Sequence, residues 1–161
     1  MEKSTISLEQ RLLQALRERG MTFAAAESCT GGLIAKRITD LSGASAVFRG
    51  GVVSYTNQVK RDVLGVPQQH LDDFGAVSAE VALAMAEGAR RITGADLAVS
   101  VTGVAGPDRD DRGNDVGTVY IGIAAQQQSR VLKMHFQGDR HQIRRQAADC
   151  AFAELLNETE T

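Results

Sequence analysis

Along the chain, the apolar positions alternate between a helical period of three to four residues and short continuous runs of the kind that form buried strands. Leu8, Leu12, Leu13 and Leu16 give the first helical stripe. Ser7 and Gln10 form a capping box ahead of it, and Gly20 stops it. Residues 22–25 then read as a brief buried strand, and residues 33–41 as a helix carrying Leu33, Ile34, Ile38 and Leu41 and ended by Ser42-Gly43. Residues 47–55 are β-rich, with Gly50-Gly51 marking a bulge or a close backbone approach. Thr56 and Asn57 are both suitable caps for a short helix over 58–64, which Gly65-Val66-Pro67 terminates.

Residues 71–76 read as a connector. Ser78 caps an alanine-rich helix over 79–93, with Glu80 in its first turn, Arg90 and Arg91 in its last and Gly94 at its exit. A buried strand follows at 97–101, and the loop 102–107 leaves its C-terminal end. Residues 108–115 are polar and charged, the mark of an exposed, mobile segment that could act as a lid. Strands at 117–125 and 131–137 form a hairpin, and Asp139 with Gln142 caps a last helix whose apolar face holds Ile143, Ala147, Cys150, Ala151 and Leu155. Strand and helix alternate early and a hairpin closes the chain. The order predicts an α/β fold, a three-layer α/β/α sandwich around a mixed, mainly parallel sheet with a C-terminal antiparallel hairpin. One domain over 1–161 is expected, with flexible tails at 1–6 and 158–161.

Composition narrows the partners. At 161 residues, 43% hydrophobic and 24% charged, the chain is the size of one globular domain, and a net charge of -2 provides no general attraction for nucleic acid or an anionic membrane. Arg140, Arg144 and Arg145 are the one basic cluster. Cys29 and Cys150 are far apart, and the three histidines have no metal-ligand spacing, so neither a disulfide framework nor a metal site is expected. No stretch has the length of a membrane span and no signal peptide is visible, so a cytoplasmic location is expected.

The chemistry gathers around Ala26-Glu27-Ser28-Cys29-Thr30-Gly31-Gly32, a turn from strand into helix. Unpaired N–H groups at a helix start can meet an anion or a developing oxyanion, and glycines let a substrate approach the backbone. Taken alone, an N-cap beside a close-packed glycine pair is the plainer reading. Phosphate-loop, dinucleotide-fold and nucleophile-elbow motifs do not occur, and no histidine stands at a strand end to serve Ser28. Lys60 is the alternative base, provided burial or its helix terminus discourages its charged form; otherwise it is a solvated helix lysine. Thr102 and the N–H of Gly103 could donate to a carbonyl oxygen or phosphate. Arg140 and Arg144, four residues apart, could grip phosphate or carboxylate at a helix start where structure alone disfavours cations. Cys29 competes with Ser28 for the nucleophile role but lacks an evident activator.

Together the heptapeptide, Gly51-Val52-Val53-Ser54-Tyr55-Thr56-Asn57 with Lys60, Gly75-Ala76-Val77-Ser78, Thr102-Gly103-Val104-Ala105-Gly106-Pro107, Val116-Gly117-Thr118-Val119 and Gly138-Asp139-Arg140 with Arg144 resemble the C-terminal domain family of the competence-induced protein CinA. The resemblance runs from about residue 8 to residue 156, in consistent order. It implies a cofactor-free, metal-free amidohydrolase converting nicotinamide mononucleotide and water into nicotinate mononucleotide and ammonia, in pyridine-nucleotide recycling. It also implies Ser28 as nucleophile, Lys60 as general base with Tyr55 nearby, and Thr30, Gly31, Gly32, Thr102, Gly103, Arg140 and Arg144 lining or supporting the substrate. Larger CinA proteins carry a further N-terminal domain not expected here. Two readings stay beside this one: a non-catalytic nucleotide-binding or adaptor domain, and an amidase of another small carboxamide. Homo-oligomerisation is left open.

Overall fold

The computed structural model describes residues 5–160. Helix α1 (Leu8–Arg19) leads to strand β1 (Phe23–Glu27), helix α2 (Leu33–Thr39), a 3-10 turn (Ala44–Ala46) and strand β2 (Phe48–Val53). Helices α3 (Asn57–Asp62), α4 (Gln68–Phe74) and α5 (Ala79–Thr93) precede strands β3 (Leu97–Gly103), β4 (Thr118–Ala124) and β5 (Ser129–His135), and α6 (Arg140–Thr159) ends the chain. The five strands form one sheet in the order β2-β1-β3-β4-β5. β1 lies parallel to both β2 and β3, while β3–β4 and β4–β5 are antiparallel, so the mixed sheet divides evenly between the two modes.

Side-chain alternation along the central strands explains why the sheet is covered on both faces. Phe23 and Ala25 of β1, with Val99 and Val101 of β3, enter the core shared with α1, α2 and α6. Ala24, Ala26 and Ala98 enter the core beneath α5, with Leu64, Leu71 and Met85. That second face is built from small residues, and α5 lies close against it. A Cβ on Gly122 would strike the Ala82 carbonyl, to which the Ser100 hydroxyl donates. On the other face Arg37 of α2 lies 2.7 Å from Glu9 of α1 and 2.7 Å from Asp149 of α6, tying three helices together.

Both expected capping boxes form, at Ser7/Gln10 and Asp139/Gln142. Five expectations change. β1 sits later than expected and ends at Glu27, and β3 extends through Gly103, so Thr102 and Gly103 belong to a strand and not a loop. The expected connector at 71–76 is largely α4, whose one buried residue, Leu71, leaves no apolar stripe to read. Segment 108–115 is tied down: the Arg112 guanidinium donates to the carbonyls of Leu71, Asp72 and Asp73 at the end of α4, and Asp110 accepts from the backbone N–H of Arg112 and Asn114. At the C-terminus α6 continues through a buried Thr159, and Arg130 reaches Glu158, so residues 158 and 159 are helix. Of the expected tails, residues 1–4 and 161 lie outside the described residues. No helix among the described residues is long and apolar enough to cross a membrane.

The contact between α5 and the end of α3 fixes the segment that carries Lys60. A Cβ on Gly88 would run into the Leu64 carbonyl, which also accepts from Arg91. Gly88→Ala is therefore expected to destabilise the fold by about 1–3 kcal/mol in urea denaturation, although alanine is the better helix former.

Candidate active site

β1, β2 and β3 run parallel, so their C-terminal ends lie along one edge of the sheet, the usual place for a site in such folds. Ser28 is the first residue beyond β1, its N–H bonded to the Val101 carbonyl at 2.9 Å. Its own carbonyl accepts from Gly31 N–H at 3.0 Å, closing a four-residue turn over Cys29 and Thr30. Neither Cys29 nor Thr30 has positive φ, which makes this turn type I. Gly31 (φ 60°) and Gly32 (φ 103°) then take left-handed conformations that steer the chain into α2. The N–H groups of Cys29 and Thr30 make no backbone hydrogen bond, which leaves two unbonded donors in the turn that follows Ser28. Thr30 itself is wholly buried, with a hydroxyl that has no partner.

α3 delivers Lys60 from the opposite wall. Thr56 caps the helix, and Lys60 one turn inside is only 1% exposed. Its amine lies 2.7 Å from the Ser54 carbonyl and 3.0 Å from Ser28 Oγ. The charged amine donates to both; the neutral amine can instead accept the serine proton. Burial pushes the Lys60 pKa down to about 8. A Cys29 thiolate would oppose that shift, but burial pushes the Cys29 thiol up to about 12, so near pH 8 it bears no charge. The same burial removes Cys29 from contention as a nucleophile at neutral pH.

Two residues that sequence reasoning left unassigned wire the pair together. Ser54 N–H donates to the Glu27 carbonyl at 2.7 Å, its hydroxyl reaches the same oxygen at 3.3 Å, and its own carbonyl holds Lys60. The strand that leads into Ser28 is thereby bonded to the residue that orients the Lys60 amine. The Glu27 side chain, 1% exposed, accepts from Ile34 N–H at 2.8 Å and Ala35 N–H at 3.2 Å, capping α2 from within. The available signal was an acidic residue ending an apolar strand just ahead of a helix start.

The remaining candidates separate. Thr102 Oγ1 donates to the Ala76 carbonyl at 2.8 Å and braces the cavity wall. Tyr55 stands at the mouth, 58% exposed, its hydroxyl accepting from Arg140 Nη2 at 3.1 Å; Arg140 Nη1 donates to the Gly106 carbonyl at 2.6 Å. Arg144 points inward, with Nε donating to the Cys29 carbonyl at 2.9 Å and Nη2 to the Thr30 carbonyl at 3.0 Å. A cavity of about 200 Å³ collects Ser28, Lys60, Tyr55, Thr102, Gly103 and Arg140. A second, of about 350 Å³, continues from Gly103 and Arg140 along Gly106 to Asp110. A larger one, about 630 Å³, lies at the far edge of the sheet beside Gln126 to Ser129 and includes none of the candidates. Among the described residues no three His, Cys, Asp or Glu side chains gather around a common point suited to a metal ion.

Comparison with known proteins identifies the family. The CinA C-terminal domain family matches residues 5–159. A CinA-like protein of Geotalea daltonii is 58% identical over 128 residues, 80% of this chain and 31% of its own length. The chain thus spans about a third of the curated relatives it matches. Among solved structures, a CinA superfamily protein from Klebsiella pneumoniae superposes with a TM-score of 0.93 at 33% identity, covering 95% of this chain and 96% of its own. A competence/damage inducible protein from Agrobacterium tumefaciens gives 0.90 at 37% identity over the whole of both chains.

Two outcomes follow from the buried amine and thiol. The Lys60 amine costs stability while it is charged, and the unfolded chain binds more protons than the folded one between about pH 8 and the ordinary lysine value near 10.5. Lys60→Met should therefore raise the melting temperature at pH 7, with a gain on the order of 1–3 kcal/mol that shrinks as pH rises through that window. Native protein at pH 8 should resist alkylation of Cys29 by iodoacetamide, and mass spectrometry should find the label there only after unfolding.

Proposed function

This chain belongs to the CinA C-terminal domain family, and from that premise we propose that it hydrolyses the carboxamide of nicotinamide mononucleotide, releasing ammonia and nicotinate mononucleotide. The observation that carries the reading is the buried pair of Ser28 Oγ and Lys60 Nζ, 3.0 Å apart at the floor of a cavity. A serine hydroxyl needs a base, and an amine whose pKa lies near 8 is neutral in a useful fraction of molecules at physiological pH.

In this mechanism neutral Lys60 takes the Ser28 proton as Oγ bonds to the carboxamide carbon. The negative oxygen that develops is met by N–H groups of the Cys29–Thr30 turn. Collapse of the tetrahedral species breaks the C–N bond, the Lys60 ammonium returns its proton to the leaving nitrogen, and ammonia departs. A water molecule entering the vacated space gives a proton to the neutral amine as its oxygen attacks the acyl carbon; collapse expels Ser28 Oγ, which takes that proton back from the Lys60 ammonium, and the acid product releases its own proton to solvent as the carboxylate. The Ser54 carbonyl holds Lys60 in place throughout. Arg140, which lines both cavities with its guanidinium bonded to the Tyr55 hydroxyl, would hold the ribose phosphate in this reading. The cellular setting that goes with this chemistry is the cytoplasmic recycling of pyridine nucleotides.

Ammonia release from nicotinamide mononucleotide tests the proposal. Ser28→Ala and Lys60→Ala should each lower kcat by at least about 1000-fold while the protein stays folded, and near-normal turnover in either would remove that residue from the mechanism. In the parent protein kcat/KM should climb with pH and level off above about 8, as the fraction of neutral Lys60 saturates. A flat profile from pH 6 to 9 would contradict a lysine base. Tight binding of the mononucleotide without ammonia release would instead point to a nucleotide-binding domain.

A further inference from the structure

We propose that Arg144 is a positioning residue for the oxyanion turn, not a ligand of the substrate's phosphate; the inference rests on the serine amidase reading above. The guanidinium comes from α6, over a hundred residues away in sequence, and spends two of its nitrogens on consecutive main-chain carbonyls, those of Cys29 and Thr30. Nothing about the packing of α6 requires this, because Arg144 lies beside Ile143 and Ala147, which already fill the core. An arginine in the first turns of a helix is also opposed by the helix dipole. The position is explained by what the fork holds.

A trans peptide is planar, so its carbonyl and N–H point in opposite directions. Holding the Cys29 carbonyl toward Arg144 turns the Thr30 N–H away from it. Holding the Thr30 carbonyl does the same for Gly31 N–H, which closes the turn on the Ser28 carbonyl. In a type I turn the N–H of the third residue faces the side chain of the first, the geometry by which a serine hydroxyl caps its own turn. Thr30 N–H is thereby held on the Ser28 side of the turn, where the oxyanion forms. The fixed fork also opposes a flip of the Cys29–Thr30 peptide, and its charge polarises that peptide toward better donation.

Two neighbouring features fit the same role. A Cβ on Gly31 would come within 3.2 Å of Arg144 Nη2, so the glycine makes room for the fork as well as for its own left-handed backbone. Glu27 meanwhile occupies the N–H groups of Ile34 and Ala35 at the start of α2. The helix start is therefore closed to a substrate anion, and the donors left beside Ser28 are those of the turn.

The experiment compares the parent protein, Arg144→Ala, Arg144→Lys and Arg140→Ala on nicotinamide mononucleotide and on its dephosphorylated riboside. Arg144→Ala is expected to lower kcat on both substrates by on the order of 100-fold, the scale of a lost oxyanion donor, and to leave the preference for the mononucleotide unchanged. Arg144→Lys should recover little, since one ammonium cannot reproduce the planar fork. Millimolar guanidinium ion added to Arg144→Ala should restore part of kcat. Arg140→Ala should instead raise KM for the mononucleotide and spare the riboside. A loss in Arg144→Ala confined to KM for the mononucleotide would overturn the proposal, as would a loss that tracks unfolding and is not rescued by guanidinium. Should the parent protein release no ammonia from either substrate, the amidase substrate falls, and labelling of Ser28 by a small fluorophosphonate decides the role of Arg144. There Oγ displaces fluoride at phosphorus and the P=O oxygen enters the same donor site. Slower labelling in Arg144→Ala supports positioning, and an unchanged rate overturns it.

Discussion

A lysine amine sealed in the interior without a carboxylate to pair with it is the constraint on which the rest of the site depends. Among the described residues, Glu27 and Lys60 are the only buried Asp, Glu, Lys or Arg side chains, and they are kept from pairing. Glu27 turns toward the N–H groups opening α2, while Lys60 turns toward a carbonyl and a hydroxyl. Had the two met, Coulomb attraction would have kept the ammonium charged and removed it as a base. Neutral partners and a dry environment work the other way. The cost is a fold that tolerates an unpaired cation at lower pH, and the surrounding hydrogen bonds from Ser54 and the close packing of Gly88 on Leu64 keep α3 in place despite it.

The sheet gives these groups a common address. Parallel pairing sends the ends of β1, β2 and β3 to one edge, where Ser28, Ser54 and Thr102 emerge in adjacent rows. The switch to antiparallel pairing at β3–β4 then returns the chain so that α6 begins over the same edge, bringing Arg140 and Arg144 to it. Site residues from the first fifth of the chain to its last fifth meet this way. In the proposed mechanism no single segment contains both nucleophile and base.

Much of this was legible in the sequence. The helical stripes, the two capping boxes and the strand-to-helix turn at Ser28 all follow from local chemistry, and local chemistry survived folding because tertiary packing agreed with it. Lys60 was identifiable as the candidate base. Its neutrality, however, was attributed partly to a helix terminus when burial is the main cause. α4 is hard to see in the sequence because it is short and buries only Leu71, and its i,i+4 links, Gln68 to Asp72 and Gln69 to Asp73, look in sequence like any polar connector. The tethering of segment 108–115 by Arg112 was invisible for another reason: its acceptors are main-chain carbonyls, which every residue has. The same blindness hid the work of Arg144 and Ser54. Side chains that bind backbone leave no partner residue type to recognise.

The thiol beside the nucleophile has a consequence of a different kind. Cysteine attacks peroxides and disulfides through its thiolate, and at neutral pH the buried Cys29 is held almost entirely as the thiol. In the proposed mechanism the acyl group is carried on a hydroxyl, and the cysteine next to it is silenced by burial, so the chemistry proposed for this site is kept apart from the redox state of its surroundings.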